Sequence, residues 1–141
     1  MEPIQRVPAT AGRLKREPTA LDRRAAAVLA RVHGGQAINN GEGMIKLETA
    51  CLASAFGATR VSVEVNWSMV LAKAVAHLYL IADGNREPLL ARVPLIPDLV
   101  PPHVCIDVRL EQSCHVRAVV ECGDGALLEV KRWVWVMPSE G

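Results

Sequence analysis

The sequence predicts a mainly β protein, an immunoglobulin-like β sandwich of about seven strands with one N-terminal helix. From residue 44 onward, short runs alternate apolar and polar residues with a period of two, which is typical of half-buried strands. The 3.6-residue spacing of an amphipathic helix occurs only before that point. Because no helical run separates the strands, the pattern favours a sandwich over a βαβ fold.

One helix is predicted over residues 20–33. Thr19 is a suitable N-cap, and Asp22 follows three residues later, near the exposed amides of the first turn. Apolar residues then recur along one stripe until Gly34-Gly35, which provides the stop.

The first 18 residues differ in composition from the rest of the chain. They contain three prolines and few large apolar side chains. Such a segment buries too little apolar surface to offset the entropy of ordering it. We therefore expect residues 1–18 to form a flexible arm and residues 19–141 to form a single domain, with its sandwich at 44–137.

Turn residues divide the sandwich region into seven candidate strands. They are Met44–Leu52, Thr59–Trp67, Ala74–Asp83, Pro88–Ile96, His103–Leu110, Cys114–Cys122 and Ala126–Met137. Between the last two, Gly123-Asp124-Gly125 can adopt the positive φ values of a tight hairpin turn.

The stretch Val75–Asp83 is apolar on both faces of an extended chain. A strand of this kind needs cover on both sides. We predict that it is the central strand, with one face in the core and the other against a further element or partner.

Composition limits the class of protein. Half of the residues are hydrophobic and the formal net charge is only +1, which excludes a disordered chain and a nucleic-acid binder driven by bulk charge. No stretch approaches the roughly 20 apolar residues that span a bilayer. We expect neither a nucleic-acid nor a membrane partner. The run after Arg23-Arg24 is too short for an export signal.

Four cysteines and four histidines invite a search for a reactive or metal site. If Cys114 and Cys122 share one strand, they lie roughly 27 Å apart, well beyond the reach of a disulfide. The other spacings do not form the usual pattern of zinc ligands. We expect free thiols, and we predict no catalytic residue, cofactor-binding residue, cofactor or metal ligand, so that the protein is not an enzyme.

The final strand carries a pair of tryptophans at alternate positions. If its valines face the core, Trp133 and Trp135 stand together on the opposite face. Paired exposed tryptophans are typical of an interface, although the N-terminal helix is an alternative cover for them. The two-sided apolarity of the central strand favours a partner. The candidate interface therefore comprises Trp133, Trp135, Leu78 and Leu80.

The order of these segments resembles the SoxY family, the sulfur-compound carriers of bacterial thiosulfate oxidation. The resemblance covers roughly residues 24–137. It rests on GGQAIN followed by MIKLETACLASAFGATRVSVEVNWSMV, and then on VAHLYLIADGNREPLLARVPLIP and CIDVRLEQSCHVRAVVECGDG. It implies an immunoglobulin-like scaffold, a SoxZ-like subunit or a second copy as partner, and a periplasmic location.

One departure from the family bears on function. SoxY proteins end in a mobile Gly-Gly-Cys-Gly tail that carries the sulfur intermediate, whereas no cysteine follows Cys122 here. We therefore expect a scaffold or binding protein of sulfur-compound oxidation that acts through protein association rather than as the thiol carrier. The alternatives are a stand-alone β-sandwich interaction module and an enzyme that uses a mid-chain thiol. Without a recognisable leader, a cytoplasmic location is the alternative to the periplasm.

Overall fold

The computed structural model describes residues 19–33, 38–66, 77–95 and 103–138. These residues form one helix and nine strands, a mainly β fold in two sheets. The elements are α1 (Ala20–His33), β1 (Ile38–Asn40), β2 (Ile45–Thr49), β3 (Leu52–Ser54), β4 (Thr59–Val65), β5 (His77–Ala82), β6 (Leu89–Pro94), β7 (His103–Val108), β8 (Cys114–Glu121) and β9 (Leu127–Met137).

Helix α1 has the bounds that its sequence predicts. Its first turn is closed by a reciprocal pair of hydrogen bonds. The amide of Asp22 donates to the Thr19 hydroxyl, and the amide of Thr19 donates to the Asp22 carboxylate, both at 3.0 Å. Two exposed backbone donors are thereby satisfied, which is why the helix begins here. None of the described helical residues forms a helix long and apolar enough to cross a membrane.

The strands are divided between a large and a small sheet. The large sheet has the order β1-β9-β8-β5-β6, and β3 also pairs with β9. The small sheet has the order β2-β4-β7 and is antiparallel throughout. In contrast, β1 and β3 run parallel to β9, each pairing over only three residues.

The main hydrophobic core lies between the two sheets. The small sheet contributes Val61 and Val63, and the large sheet contributes Leu78, Leu80 and other side chains with no exposed surface. Helix α1 covers the outer face of the large sheet in a second cluster. Its members are Ala25, Val28, Leu29, Tyr79, Ile81, Val119 and Leu127. Strand β5 therefore lies inside the sheet with both faces buried by the chain itself.

Nine strands replace the seven predicted because two short strands were missed. The expected strand Met44–Leu52 is broken at a bend, so that β2 joins the small sheet and β3 joins the large one. Strand β1 is too short and too exposed to show an alternating pattern. The expected arm at residues 1–18, the Gly34-Gly35 stop and the outer ends of three candidate strands lie outside the described residues. The expected single domain therefore stays a prediction.

The predicted hairpin between β8 and β9 is confirmed. Gly125 has a φ of 90°, a left-handed conformation that glycine adopts without strain. The amide of Gly125 donates to the Cys122 carbonyl at 2.9 Å, and the amide of Ala126 donates to the Asp124 carboxylate at 3.0 Å. This turn sets the register in which β8 and β9 pair.

Gly84 follows β5 at a point where no side chain fits. A Cβ atom there would lie 2.7 Å from the Cβ of Cys114 and 2.9 Å from the Cγ of Gln112. Overpacking of this kind typically costs about 1–3 kcal/mol, so Gly84→Ala is expected to lower the free energy of unfolding by that amount in urea denaturation. Gly57→Ala is the matched control, because its Cβ would meet only Ser54 at 3.8 Å. An equal loss in both variants would contradict the packing argument.

Candidate functional site

Large exposed apolar side chains gather at the end of strand β9. Leu52, Phe56, Trp135 and Met137 are each more than half exposed, between 53% and 66%. With Trp133, which is half-buried, they form a surface that we call the end patch. Exposed apolar surface of this kind commonly marks an interaction site.

Alternation along β9 creates this surface. Val130 and Val134 point into the core with at most 2% exposure, so Trp133 and Trp135 point to the opposite face of the large sheet. Their rings meet edge to face, with centroids 5.4 Å apart. This geometry is the favourable one for an aromatic pair.

Strand β3 adds the remaining members of the end patch. The amide of Trp135 donates to the Cys51 carbonyl at 2.9 Å, and the register then places Leu52 beside Trp135. In the turn that follows, the amide of Ala55 donates to the Met137 carbonyl at 3.1 Å. This bond holds the Phe56 turn against the end of β9.

His115 on β8 lies beside Trp133, its cross-strand neighbour on the same face of the large sheet. Its ring packs edge to face on Trp133 with centroids 4.9 Å apart. Within the described residues, neither the buried His115 Nδ1 nor the buried Trp133 Nε1 has a hydrogen-bond partner. Burial lowers the pKa of His115, the nearby carboxylate of Asp83 opposes the shift, and the positive charge of Lys131 adds to it. The imidazole is therefore neutral at pH 7.

This pKa shift predicts a loss of stability in mild acid. Since the pKa of His115 is below its ordinary value of 6.5 in the folded protein, the unfolded chain binds the proton more tightly. Stability is therefore unaffected by the protonation of His115 above about pH 6.5. It falls as the pH drops from there towards the lower pKa that His115 has in the folded protein. Urea denaturation at pH 7.5 and 5.5 measures this difference. It is expected to be smaller in His115→Gln, and equal differences in the two proteins would contradict it.

A buried ionic network lies beside His115 on the same face of the sheet. The Arg117 side chain, which is 5% exposed, donates to the fully buried Asp83 carboxylate at 2.7 and 2.9 Å. It also donates to Asp22 at 2.6 Å and to Glu129 at 3.2 Å. Burial alone would lower the pKa of Arg117, but the hydrogen bonds to Asp22 and Asp83 and the charge of Glu129 raise it. Arg117 therefore stays charged.

The same network fastens helix α1 to the large sheet. Asp22 belongs to the first turn of the helix, while Arg117 belongs to β8. Burial would raise the pKa of Asp22, but hydrogen bonds from Thr19 and Arg117 outweigh it and hold that pKa well below its usual range. Arg24 of the helix adds hydrogen bonds to the carbonyls of Asp83 and Asn85. The helix therefore docks beside the end patch and leaves Trp135 exposed.

The structure divides the four predicted interface residues into two pairs. Trp133 and Trp135 meet on the outer face, as their spacing predicts. The prediction is wrong for Leu78 and Leu80, which have no exposed surface and lie in the core between the sheets. The second apolar face of β5 does not require a partner either, because helix α1 covers it through Tyr79 and Ile81.

Sequence reasoning missed Leu52, Phe56 and Met137 as parts of the end patch. Each occupies an ordinary position in its own segment. Only the parallel pairing of β3 with β9 brings the three together, and parallel pairing leaves no turn signal in the sequence.

A family profile described as "Sulfur oxidation protein SoxY" matches residues 29–139. This match spans most of the chain and both sheets. The chain belongs to the SoxY family. No curated protein matches the sequence of this SoxY-family chain.

Solved structures of other proteins share the fold of this chain. The sulfur carrier protein SoxY from Chlorobium limicola f thiosulfatophilum superposes with a TM-score of 0.68 at 19% identity, covering 82% of this chain and 97% of that chain. The superoxide reductase (neelaredoxin) from Ignicoccus hospitalis reaches a TM-score of 0.51 at 22% identity, covering 67% and 80% of the two chains. At these identities, the likeness shows a shared fold.

The four cysteines of this SoxY-family chain all lie in the described residues, where none of them forms a disulfide bond. Cys114 and Cys122 are buried in the large sheet, and Cys51 and Cys105 are exposed. Burial raises the pKa of the Cys114 thiol. No three or more His, Cys, Asp or Glu side chains of the described residues are grouped to hold a metal ion.

His77 is satisfied by a neighbouring side chain. Its Nδ1 lies 3.2 Å from the Glu121 carboxylate, which also accepts a 2.8 Å hydrogen bond from the Tyr79 hydroxyl. Burial raises the pKa of Tyr79, and the hydrogen bond to Glu121 and then the charge of Glu121 raise it further. These contacts give His77 a structural role at the start of β5.

Proposed function

We propose that this SoxY-family protein serves in sulfur-compound oxidation by binding another protein through the end patch, and not by carrying sulfur on a thiol. Its partner is a SoxZ-like subunit or a second copy of the chain. The observation that carries the proposal is the exposed Trp135 among Leu52, Phe56 and Met137 on a rigid sheet. Family membership supports the association with sulfur oxidation.

The composition of the end patch supports protein association. Tryptophan dominates binding energy at protein interfaces, where it anchors a region from which water is excluded. Trp135 stands on an ordered strand and is held by Trp133, so little conformational entropy is lost when it binds. The neutral His115 beside Trp133 adds no charge that a partner would have to desolvate at pH 7.

The positions of the four thiols support a role other than sulfur carriage. A carrier thiol that visits several active sites needs reach and exposure. Cys114 and Cys122 are buried. Cys105 lies within strand β7, and Cys51 lies at a bend whose carbonyl accepts the Trp135 amide. Each is therefore held by ordered backbone.

Sedimentation of the purified protein tests the association. We expect a dimer at tens of micromolar, alone or after addition of a SoxZ-like protein. A monomer under both conditions would overturn the proposed interface. Association with a protein unrelated to sulfur chemistry, in the absence of any SoxZ-like binding, would support the stand-alone interaction module instead.

Intact-mass spectrometry tests the second half of the proposal. The protein is incubated with thiosulfate, a SoxZ-like protein and the conjugating enzymes of the family. We expect an unchanged mass. A stoichiometric adduct that a reductant removes, on any of the four cysteines, would contradict the non-carrier role. The periplasmic location that family membership implies is part of the same proposal, and cell fractionation tests it.

A further inference from the structure

A titratable side chain lies in direct ring contact with the aromatic pair of the end patch. His115 packs edge to face on Trp133 with centroids 4.9 Å apart, and Trp133 packs in the same way on Trp135 at 5.4 Å. The register of β8 and β9 places His115 directly across from Trp133. A change in the position of the His115 ring therefore reaches the exposed Trp135 through one intervening side chain.

The neutral His115 ring has an unused polar atom on its buried side. Among the described residues, the buried Nδ1 atom has no hydrogen-bond partner, and such atoms are rare in folded proteins. The Oδ2 atom of Asp83 lies 3.6 Å away, just beyond hydrogen-bond distance. Protonation makes Nδ1 a donor on a positively charged ring, which the carboxylate attracts. A shift of less than about 1 Å then brings the two atoms to the roughly 2.8 Å of a charge-assisted hydrogen bond.

Burial and the charged groups of four elements decide when His115 takes up a proton. Burial, the largest effect, lowers the pKa of His115 from its ordinary value of 6.5. Asp83, which follows β5, and Asp22 on α1 oppose this shift, whereas Lys131 on β9 and Arg117 on β8 add to it. Since the side chain of His115 is 25% exposed, protons from the solvent reach the ring. The ring therefore becomes charged as the pH falls below 6.5.

We propose that His115 is a pH-sensitive switch for the end patch: its protonation draws the ring towards Asp83, loosens the Trp133–Trp135 pair and weakens the binding of the partner protein. Distances of 3.6, 4.9 and 5.4 Å join the four side chains in one continuous series. This inference rests on the proposed function, because it names how binding at the end patch is regulated.

Proton linkage gives the direction of the effect. A partner that covers the end patch removes water from the exposed part of the His115 ring and so disfavours its charged form. The complex therefore binds the proton less tightly than the free chain does, and the affinity falls as the pH falls. Because the pKa of His115 is below 6.5, the uptake of one proton limits the loss between pH 7.5 and 5.5 to about tenfold.

Near-ultraviolet circular dichroism of the full chain tests the movement of the rings without a partner, since it reports the fixed geometry of the tryptophans. We expect a reversible change with a midpoint below pH 6.5 in the wild type and in His103→Gln, and no change in His115→Gln. His103 is the matched control, because it is an exposed histidine on β7 of the small sheet. Far-ultraviolet spectra check that each protein is folded at both ends of the titration. A constant signal in the wild type, or a change that persists in His115→Gln, would overturn the proposal.

Sedimentation equilibrium at pH 7.5 and 5.5 tests the effect on binding. The dissociation constant of the complex is expected to rise by about threefold to tenfold in the wild type and in His103→Gln, and to stay nearly constant in His115→Gln. The same pH dependence in the wild type and in His115→Gln would overturn the switch. Absence of any complex at pH 7.5 would instead contradict the proposed function, and circular dichroism of the single chain would still decide whether His115 moves the aromatic pair.

Discussion

Replacement of Arg117 by Met is expected to lower the free energy of unfolding by about 3–5 kcal/mol, a larger loss than the one expected for Gly84→Ala. Arg117 is the cation that compensates the fully buried Asp83 carboxylate. Without Arg117, the negative charge of Asp83 remains in the interior. The hydrogen bond that Asp83 accepts from the His115 backbone amide does not compensate this charge. Removal of one member of a buried ion pair destabilises a protein strongly, because the other charge is left uncompensated. Replacement of the whole pair by apolar residues has a much smaller effect on stability.

Arg132→Met is the matched control for this experiment. Arg132 pairs with Glu42 at 3.0 Å, but both side chains are about half exposed, at 41% and 54%. Exposed pairs contribute roughly 0–1 kcal/mol, so the control is expected to unfold almost like the wild type in urea. Similar losses in Arg117→Met and Arg132→Met would show that Asp83 finds another partner or takes up a proton when Arg117 is absent.

Trp135→Ala is expected to weaken the proposed association by about 2 kcal/mol or more, around thirtyfold in affinity. Because Trp135 is 60% exposed in the single chain, its removal leaves the core intact. The expected signature is therefore a weaker dimer with nearly unchanged stability. Sedimentation equilibrium gives the affinity, and urea denaturation gives the stability.

Lys46→Ala on the small sheet is the control for the end patch. The side chain of Lys46 is 66% exposed, and the residue lies on β2, outside the end patch. Its removal is expected to leave the affinity unchanged. If Trp135→Ala associates as tightly as the wild type, the partner binds elsewhere and the end patch loses its proposed role.

The sequence predicts the local structure of this protein well and its long-range pairing poorly. The capping pair Thr19 and Asp22, the alternation in β4 and the Gly125 turn depend on neighbouring residues, and each is confirmed. The break at Cys51 depends on which sheet each half of a run joins. Contacts of β2 with β4 and of β3 with β9 decide that choice. The local pattern of apolar and polar residues carries no information about these contacts.

The same limit applies to the candidate site. The period-two spacing of β9 is sufficient to place Trp133 and Trp135 together on one face. The spacing of Leu78 and Leu80 shows equally well that they share a face of β5. It does not show whether that face lies in the core between the sheets or on the outside. Helix α1 docks through Arg117, a cation within an apolar strand, and a single buried arginine carries no periodic signal.

The pairing of β9 has a consequence for how the chain folds. Strand β9 borders β8, β1 and β3, and the register joins Ile38 to Leu127 and Leu52 to Trp135. Most of the described chain therefore separates these partners in sequence. The entropy of closing such long loops is lost before the stabilising contacts between the strands can form. Non-local topologies of this kind fold on the millisecond-to-second scale. During synthesis, β1 and β3 leave the ribosome long before their partner strand exists. Until β9 is made, the backbone amides and carbonyls of β1 and β3 remain available for pairing with other chains. Strand β9 therefore limits the speed of folding, and it also sets the time during which the nascent protein can aggregate.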